Sequence, residues 1–333
     1  MRRRLVVVIG VLLAALLAWV TTAGAVATYV RIGGTDRFDT AVVVANQLLT
    51  PPVTTVYVAS GDNFPDALTA GAAAAHVGGP VLLTHGTSLP DGTKNEIVAL
   101  KPTNVVIVGG PATVSDAVKA AIAAAVPTAT VIRIGASVGT RYDTAVALSK
   151  QSFSPNVPVL FVANGLTFPD SLAGSAAAGT LGGPVLLAPP SGPVSQSFVD
   201  EIGRLHPKKL ILLGGYNGIT QLQGTYIGSY AGSATVSRES GDDRYGTAVA
   251  VSQATFSPGV ASVFLTSGET FPDGLAAGAI AGGRHVPLLL THKDCLPQAV
   301  ADEITRLNPA QVYVVGGTGS VAYPLDVPPP ICT

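Results

Sequence analysis

Three aspartates in one repeated phrase are the residues best placed to do chemistry in this chain. Asp66, Asp170 and Asp273 stand in "NFPDAL", "TFPDSL" and "TFPDGL", each behind a phenylalanine (Phe64, Phe168, Phe271) and a proline. Three arginines recur in step with them: Arg37, Arg141 and Arg244. A carboxylate near a guanidinium can act as a general base or simply as half of an ion pair. An aspartate in the first turn of a helix already meets the positive end of the helix dipole, which needs no catalysis to explain it. An arginine–aspartate clamp in each repeat is therefore the simpler reading.

The remaining chemical residues point the same way. His85 and His292 share a position just after "LLT", where the second repeat has Ala188-Pro189, and His76, His206 and His285 have no counterparts. A zinc hydrolase would need a clustered set of histidine and acid ligands with one open position, which these spacings do not supply. There is no G-x-S-x-G for a serine nucleophile. The Gly-Gly after each "VVIV"-type strand lacks the pattern of a dinucleotide or phosphate loop, and a tight strand–helix turn explains it. The sequence thus predicts no catalytic residue, no metal, no cofactor and no enzyme. Cys295 and Cys332 are the two cysteines. In an exported chain they read as a disulfide closing a loop of about 37 residues, worth on the order of 4 kcal/mol; two free thiols are the alternative.

These residues are positioned by a tandem triplication. The phenylalanines, and likewise the arginines, are 104 and 103 residues apart, and Gly-Gly closes a hydrophobic run at Gly110, Gly215 and Gly317. That period matches a small domain rather than a solenoid repeat. In the first unit "VYVAS" reads as a buried strand, Pro65 opens a helix of small side chains, Gly78-Gly79 and Pro80 end it, and "VLLT" is the next strand. "DGTKNEIVAL", "NVVIV", "TVSDAVKAAIAAA" and "TVIRI" continue the alternation, and "DRFDTAVVVANQLL" is a helix upstream. Alternation of this kind means an α/β sandwich with a central parallel sheet. The expected architecture is three such modules in approximate pseudo-threefold symmetry: 28–130, 131–235 and 236–333. The third ends in a Pro-rich tail in place of its last helix. The alanine runs Ala72–Ala75, Ala176–Ala178 and Ala276–Ala277 predict helices packed closely on their sheets or on one another.

Residues 1–27 read as a secretory signal peptide: Arg2-Arg3-Arg4, an apolar run from Leu5 to Val20, then Ala25-Val26-Ala27. An uncleaved anchor is the alternative. No other segment reads as membrane-spanning, so the mature chain is expected to be exported. Loss of the three leading arginines takes the formal charge from −1 to −4. That balance does not fit a nucleic-acid binder, which needs a basic stripe.

Each of the three units carries most of the phrases R-x-x-G-x-[DN]-R-[YF]-x-T-A, F-P-D, P-[IV]-L-L and V-G-G, in that order, and this pattern resembles the cell wall binding repeat 2 family. The resemblance implies a pseudo-threefold trio of α/β modules. It implies noncovalent attachment to an anionic cell wall polysaccharide or teichoic-acid-like polymer of a Gram-positive envelope. It places polymer contacts at Pro80, Val81, Leu82, Leu83, Pro184, Val185, Leu186, Leu187, Pro287, Leu288, Leu289 and Leu290, with Arg37, Arg141 and Arg244 as the basic residues nearby. Three departures stand out: "GASVGT" precedes Arg141, the third repeat has Gly246-Thr247-Ala248 where an acid-Thr-Ala is expected, and Arg284-His285-Val286 is inserted before its "PLLL". The alternatives are a wall hydrolase of the N-acetylmuramoyl-L-alanine amidase type and a structural or adhesive surface protein that binds other proteins.

Overall fold

A computed structural model of the chain describes residues 27–63, 65–135, 139–325 and 329–332. The leader and Phe64 lie outside the described residues. The chain opens with β1 (Thr28–Ile32) and α1 (Arg37–Leu48), followed by β2 (Thr55–Ser60), α2 (Pro65–His76), β3 (Val81–Thr84), α3 (Asp91–Leu100), β4 (Asn104–Val108) and α4 (Asp116–Ala125). The second repeat runs β5 (Thr130–Ile134), α5 (Arg141–Ser152), β6 (Val159–Asn164), α6 (Pro169–Leu181), β7 (Val185–Ala188), α7 (Gln196–Leu205), β8 (Lys209–Leu213) and α8 (Gln221–Gly228). The third has β9 (Thr235–Glu239), α9 (Arg244–Thr255), β10 (Ser262–Ser267), α10 (Pro272–Gly283), β11 (Leu288–Thr291), α11 (Gln298–Leu307) and β12 (Gln311–Val315).

These strands form three four-stranded parallel sheets, ordered β3-β2-β4-β5, β7-β6-β8-β9 and β1-β12-β10-β11. The strand that opens each repeat closes the sheet of the repeat before it, and β1 closes the sheet of the third. The modules are thus joined in a ring. Central strands such as β2, β6 and β10 are buried along their whole length, as β-branched and aromatic runs should be when both sheet faces are covered.

The alanine-rich helices α2, α6 and α10 pack on one another around the pseudo-threefold axis and on their own sheets. Their small side chains are required there. A Cβ on Gly179 would strike the Cβ of Ala75, and one on Gly274 would stand 2.9 Å from a Leu172 methyl. Ala72 to Ala74 and Ala176 to Ala178 are all at most 1% exposed. Contact across the axis is therefore close to backbone distance, and small residues fill it: glycine, alanine and Ser175.

The Pro-Val-Leu-Leu strands read from the sequence as central, but β3, β7 and β11 are edge strands. They are buried nonetheless, because α1, α5 and α9 cover them and a helix of the neighbouring module (α10, α2 or α6) reaches them. Covering an edge in this way removes it as a pairing template. In the third module the chain after β12 crosses the place of the missing helix. Val321 and Tyr323 are buried, and their carbonyls accept bonds from Arg31 Nη1 and Nη2. Cys295 and Cys332 are paired with Cα atoms 5.0 Å apart, and the Leu296 amide donates to Pro330 O.

One buried carboxyl differs between modules. Glu201 and Glu303 are fully buried and each is bound by an arginine of its own helix, Arg204 and Arg306, at 2.7 Å. Glu96 occupies the same place on α3, but Ala99 stands where those arginines are, and Asn46 Nδ2 donates to it at 3.5 Å. Burial pushes the Glu96 carboxyl above its ordinary range, with the Asn46 bond opposing. A raised folded-state pKa means the contribution is full below the unfolded pKa and is lost as pH rises through the folded one. Glu96→Gln is therefore expected to raise the melting temperature at pH 7 and leave it unchanged near pH 4, whereas Glu201→Gln should lower it at pH 7. Equal responses of the two variants in thermal scans would contradict this assignment.

Candidate functional site at the module junctions

Each sheet has a switch point in its strand order, between β2 and β4, between β6 and β8 and between β10 and β12. Open α/β sheets bind ligands at the carboxyl ends of the strands beside such a switch point. The Phe-Pro-Asp loop follows β2, β6 and β10, and the Gly-Gly turn follows β4, β8 and β12, so both phrases meet there.

The aspartates fill this crevice themselves. Asp66 is 8% exposed and Asp273 is 7% exposed. A Cβ on Gly109 would stand 2.7 Å from Asp66 Oδ2, and one on Gly316 would stand 2.5 Å from Asp273 Oδ2. Both glycines have φ near +118°, at 117° and 119°, where side chains are disfavoured. The Gly-Gly turn is thus shaped to receive a carboxylate of its own module. It is held from the far side by an arginine of the strand that closes the sheet. Arg133 Nη1 donates to Gly109 O at 2.9 Å, Arg238 Nη1 to Gly214 O at 2.6 Å and Arg31 Nη1 to Gly316 O at 3.0 Å. These three arginines open the repeated R-x-x-G phrase, and nothing in the sequence distinguishes their structural role from that of the second arginine in the phrase.

The second arginines do not clamp the aspartates of their own repeats. Asp66 is bonded by Thr144 and Thr113 and lies in the field of Arg141. Asp170 lies in the field of Arg244 and is bonded by Thr247. Asp273 is bonded by Ser320, at 2.8 Å, and by Thr40, in the field of Arg37. Each carboxyl is gripped by the Arg-x-x-Thr turn of the next module around the ring. The reason is packing: α2 lies against α5, α6 against α9 and α10 against α1, so the start of each Phe-Pro-Asp helix faces the start of its neighbour's arginine helix. Burial pushes all three carboxyls above the ordinary aspartate range, against the pull of the hydroxyls and guanidinium groups.

Each of these arginines also reaches back into its own module. Arg37, Arg141 and Arg244 donate Nη1 to the carbonyls of Gly61, Gly165 and Gly268, at 2.7, 2.7 and 2.5 Å. Arg37 lies over the Phe271 ring at 5.7 Å and Arg244 over Phe168 at 5.9 Å; the two rings are 5.9 Å apart. Arg37 and Arg244 remain exposed. Beside them open two equivalent clefts of about 200 and 260 Å³, the first between Thr35, Arg37 and Asp273 and the second between Asn164, Asp170 and Arg244.

Pro80, Pro184 and Pro287 and the leucines and valines that follow them are buried, at most 2% exposed from Val81 to Leu83, Val185 to Leu187 and Leu288 to Leu290. They present no surface, and form the wall from which His85 and His292 project. His85 Nδ1 is 3.1 Å from Asp62 Oδ1, and His292 Nδ1 is 3.0 Å from Glu269 Oε1 and 2.9 Å from the Tyr245 hydroxyl. Among the described residues no group of three or more histidine, cysteine, aspartate or glutamate side chains could hold a metal ion, and no helix is long and apolar enough to cross a membrane.

This junction is built three times from the same phrases, and the profile described as cell wall binding domain 2 (CWB2) matches residues 31–119, 136–222 and 238–325. The chain belongs to the CWB2 family. Two curated Bacillus subtilis (strain 168) proteins are similar to it. N-acetylmuramoyl-L-alanine amidase LytC is 26% identical over 308 residues, covering 92% of this chain and 59% of LytC. The amidase enhancer is 27% identical over 294 residues, covering 88% of this chain and 39% of its own. The CWB2 chain thus spans between two fifths and three fifths of these relatives. Among solved structures, Cwp6 from Clostridium difficile superposes with a TM-score of 0.79 at 24% identity, over 88% of this chain and 46% of Cwp6. Cwp8 from Clostridium difficile gives 0.77 at 21% identity, over 87% and 49%. These likenesses show the three-module fold.

Proposed function

We propose that this CWB2 protein is exported and holds noncovalently to an anionic polymer of a Gram-positive type cell wall, with the junction clefts as the contact sites. The observation that carries the reading is the exposed arginine laid over a phenylalanine of the preceding module, seen for Arg37 on Phe271 and Arg244 on Phe168. Such a pair offers guanidinium hydrogens to an anionic group beside an aromatic edge for a sugar ring. Ligands of a chain whose mature charge is −4 must be met by local cations of this kind. Equivalent weak sites on one rigid ring suit a repeating polymer, because linkage multiplies affinity by roughly 10²–10⁴ without a tight single site. Removal of residues 1–27 and oxidation of Cys295 and Cys332 outside the cytoplasm complete the reading. The protein binds and does not cleave: the junction aspartates are engaged by threonines and arginines of the ring.

Sedimentation with isolated walls tests this. Retention is expected on intact walls and is expected to fall after extraction of the anionic polymers. Equal retention on stripped and intact walls would overturn the reading. The likeness to LytC favours a second reading, amidase activity in the shared region, and clearing of a peptidoglycan gel by the purified chain would establish it instead.

A further inference from the structure

The second module departs from the first at one place on its outer face, between α8 and β9. At equal distances from the Gly-Gly turn, Pro111, Asp116 and Lys119 of the first module are replaced by Tyr216, Gln221 and Gly224. In the first module Asp116 Oδ1 accepts from Arg133 Nη2 at 3.2 Å, which ties up the outward side of that guanidinium. In the second, Arg238 Nη1 reaches Gly214 O and Gly215 O and Nη2 reaches Ile219 O, all backbone groups of the turn. The Nη2 hydrogen that matches the Asp116 bond has no acceptor among the described residues. Gly224 leaves it uncovered, since a Cβ there would stand 3.0 Å from Nη2. Tyr216 lies on the guanidinium at 4.6 Å and is still 60% exposed. The result is an open cleft of about 450 Å³ with Gln221, Thr225 and Ser237 on its walls. That size lies in the range of small-molecule sites.

We infer that this cleft is a binding site for a single acidic sugar unit, separate from the junction clefts and independent of whether those bind polymer. Each of the changes serves that chemistry. Loss of the Asp116 carboxylate frees a charge-assisted donor for a carboxylate or phosphate. The tyrosine gives an aromatic face for the ring. The amide and hydroxyls are neutral partners for sugar hydroxyls, and the glycine gives the room.

Saturation-transfer NMR on the intact protein provides the test, with glucuronic acid, glucose 1-phosphate and neutral N-acetylglucosamine as probes. The two acidic probes separate a carboxylate-bearing from a phosphate-bearing ligand. At least one is expected to receive saturation and to bind more tightly than the neutral sugar. The variant Y216P/Q221D/G224K, which copies the first module, is expected to weaken that binding about tenfold, the loss of one charge-assisted contact and one stacking face. Tyr216→Ala alone, at an exposed position, is expected to weaken it in a protein that keeps its melting temperature. Failure of both acidic sugars to bind, binding of the neutral sugar as tight as theirs, or affinity unchanged in Tyr216→Ala would each overturn the assignment.

Discussion

Cys332→Ser is expected to cost the protein about 4 kcal/mol, the chain-entropy value for a cross-link closing a loop of this size. The bond spans a sequence separation of 37 residues. It ties down the segment that stands in for the missing helix of the third module. That segment carries Val321 and Tyr323, buried on the sheet, and supplies two of the carbonyls that hold Arg31. With the tail released, Arg31 would lose those acceptors while keeping Gly316 O, so the cost falls on the third module first. In thermal unfolding the variant should melt roughly 8 °C lower, and a reductant should bring the wild type down by a similar amount. A melting temperature that responds to neither change would show that the tail is held by its buried side chains alone.

The triple variant Arg37→Gln, Arg141→Gln, Arg244→Gln is expected to lose wall binding by about 10²-fold or more, since it removes the cation from every junction and with it the gain from linkage. Each single variant should lose much less. The wild type should also bind more weakly as salt is raised, because exposed charges are screened beyond about 10 Å at 0.1 M. The three guanidinium groups also donate to the carbonyls of Gly61, Gly165 and Gly268, so near-ultraviolet circular dichroism must show the same tertiary signal in variant and parent. A folded triple variant that still sediments fully with walls would place the polymer elsewhere on the ring.

The repeated phrases read as an arginine–aspartate clamp within each repeat; in the structure each carboxyl is instead bonded by hydroxyl groups and lies in the field of an arginine of the next module. A sequence with a fixed period cannot show this. By spacing Arg141 is nearer its own Asp170, 29 residues on, than Asp66 of the module before it, 75 residues back, and only the packing of α2 against α5 selects the second. The strands were legible from β-branched and aromatic runs, because burial on both faces leaves that mark. Their order was not: β3 is as apolar as β2, since helices cover its open edge as thoroughly as a paired strand would. The close approach of the central helices was legible in Ala72–Ala75 and Ala176–Ala178 because bulk is excluded there by backbone contact. The cleft on the second module did leave a signal, Gly224 within a helix. Its meaning depended on Arg238, which is fourteen residues further on and reaches it only through the β8–β9 pairing.

The pairing of β1 with β12 has a consequence for the order in which the protein can form. The bond from Arg31 to Gly316 links residues 285 apart in sequence. A chain made from its N-terminus completes the first two sheets while β1, the segment made before either, still waits for a neighbour. Contacts of such span are slow to form, and during the wait an apolar edge stays open to any strand it meets. Shortening the protein by its last repeat would not yield a smaller version of the ring. It would strand Tyr29 and Val30 beside an absent partner, so the least divisible part of this threefold molecule is the seam where its beginning meets its end.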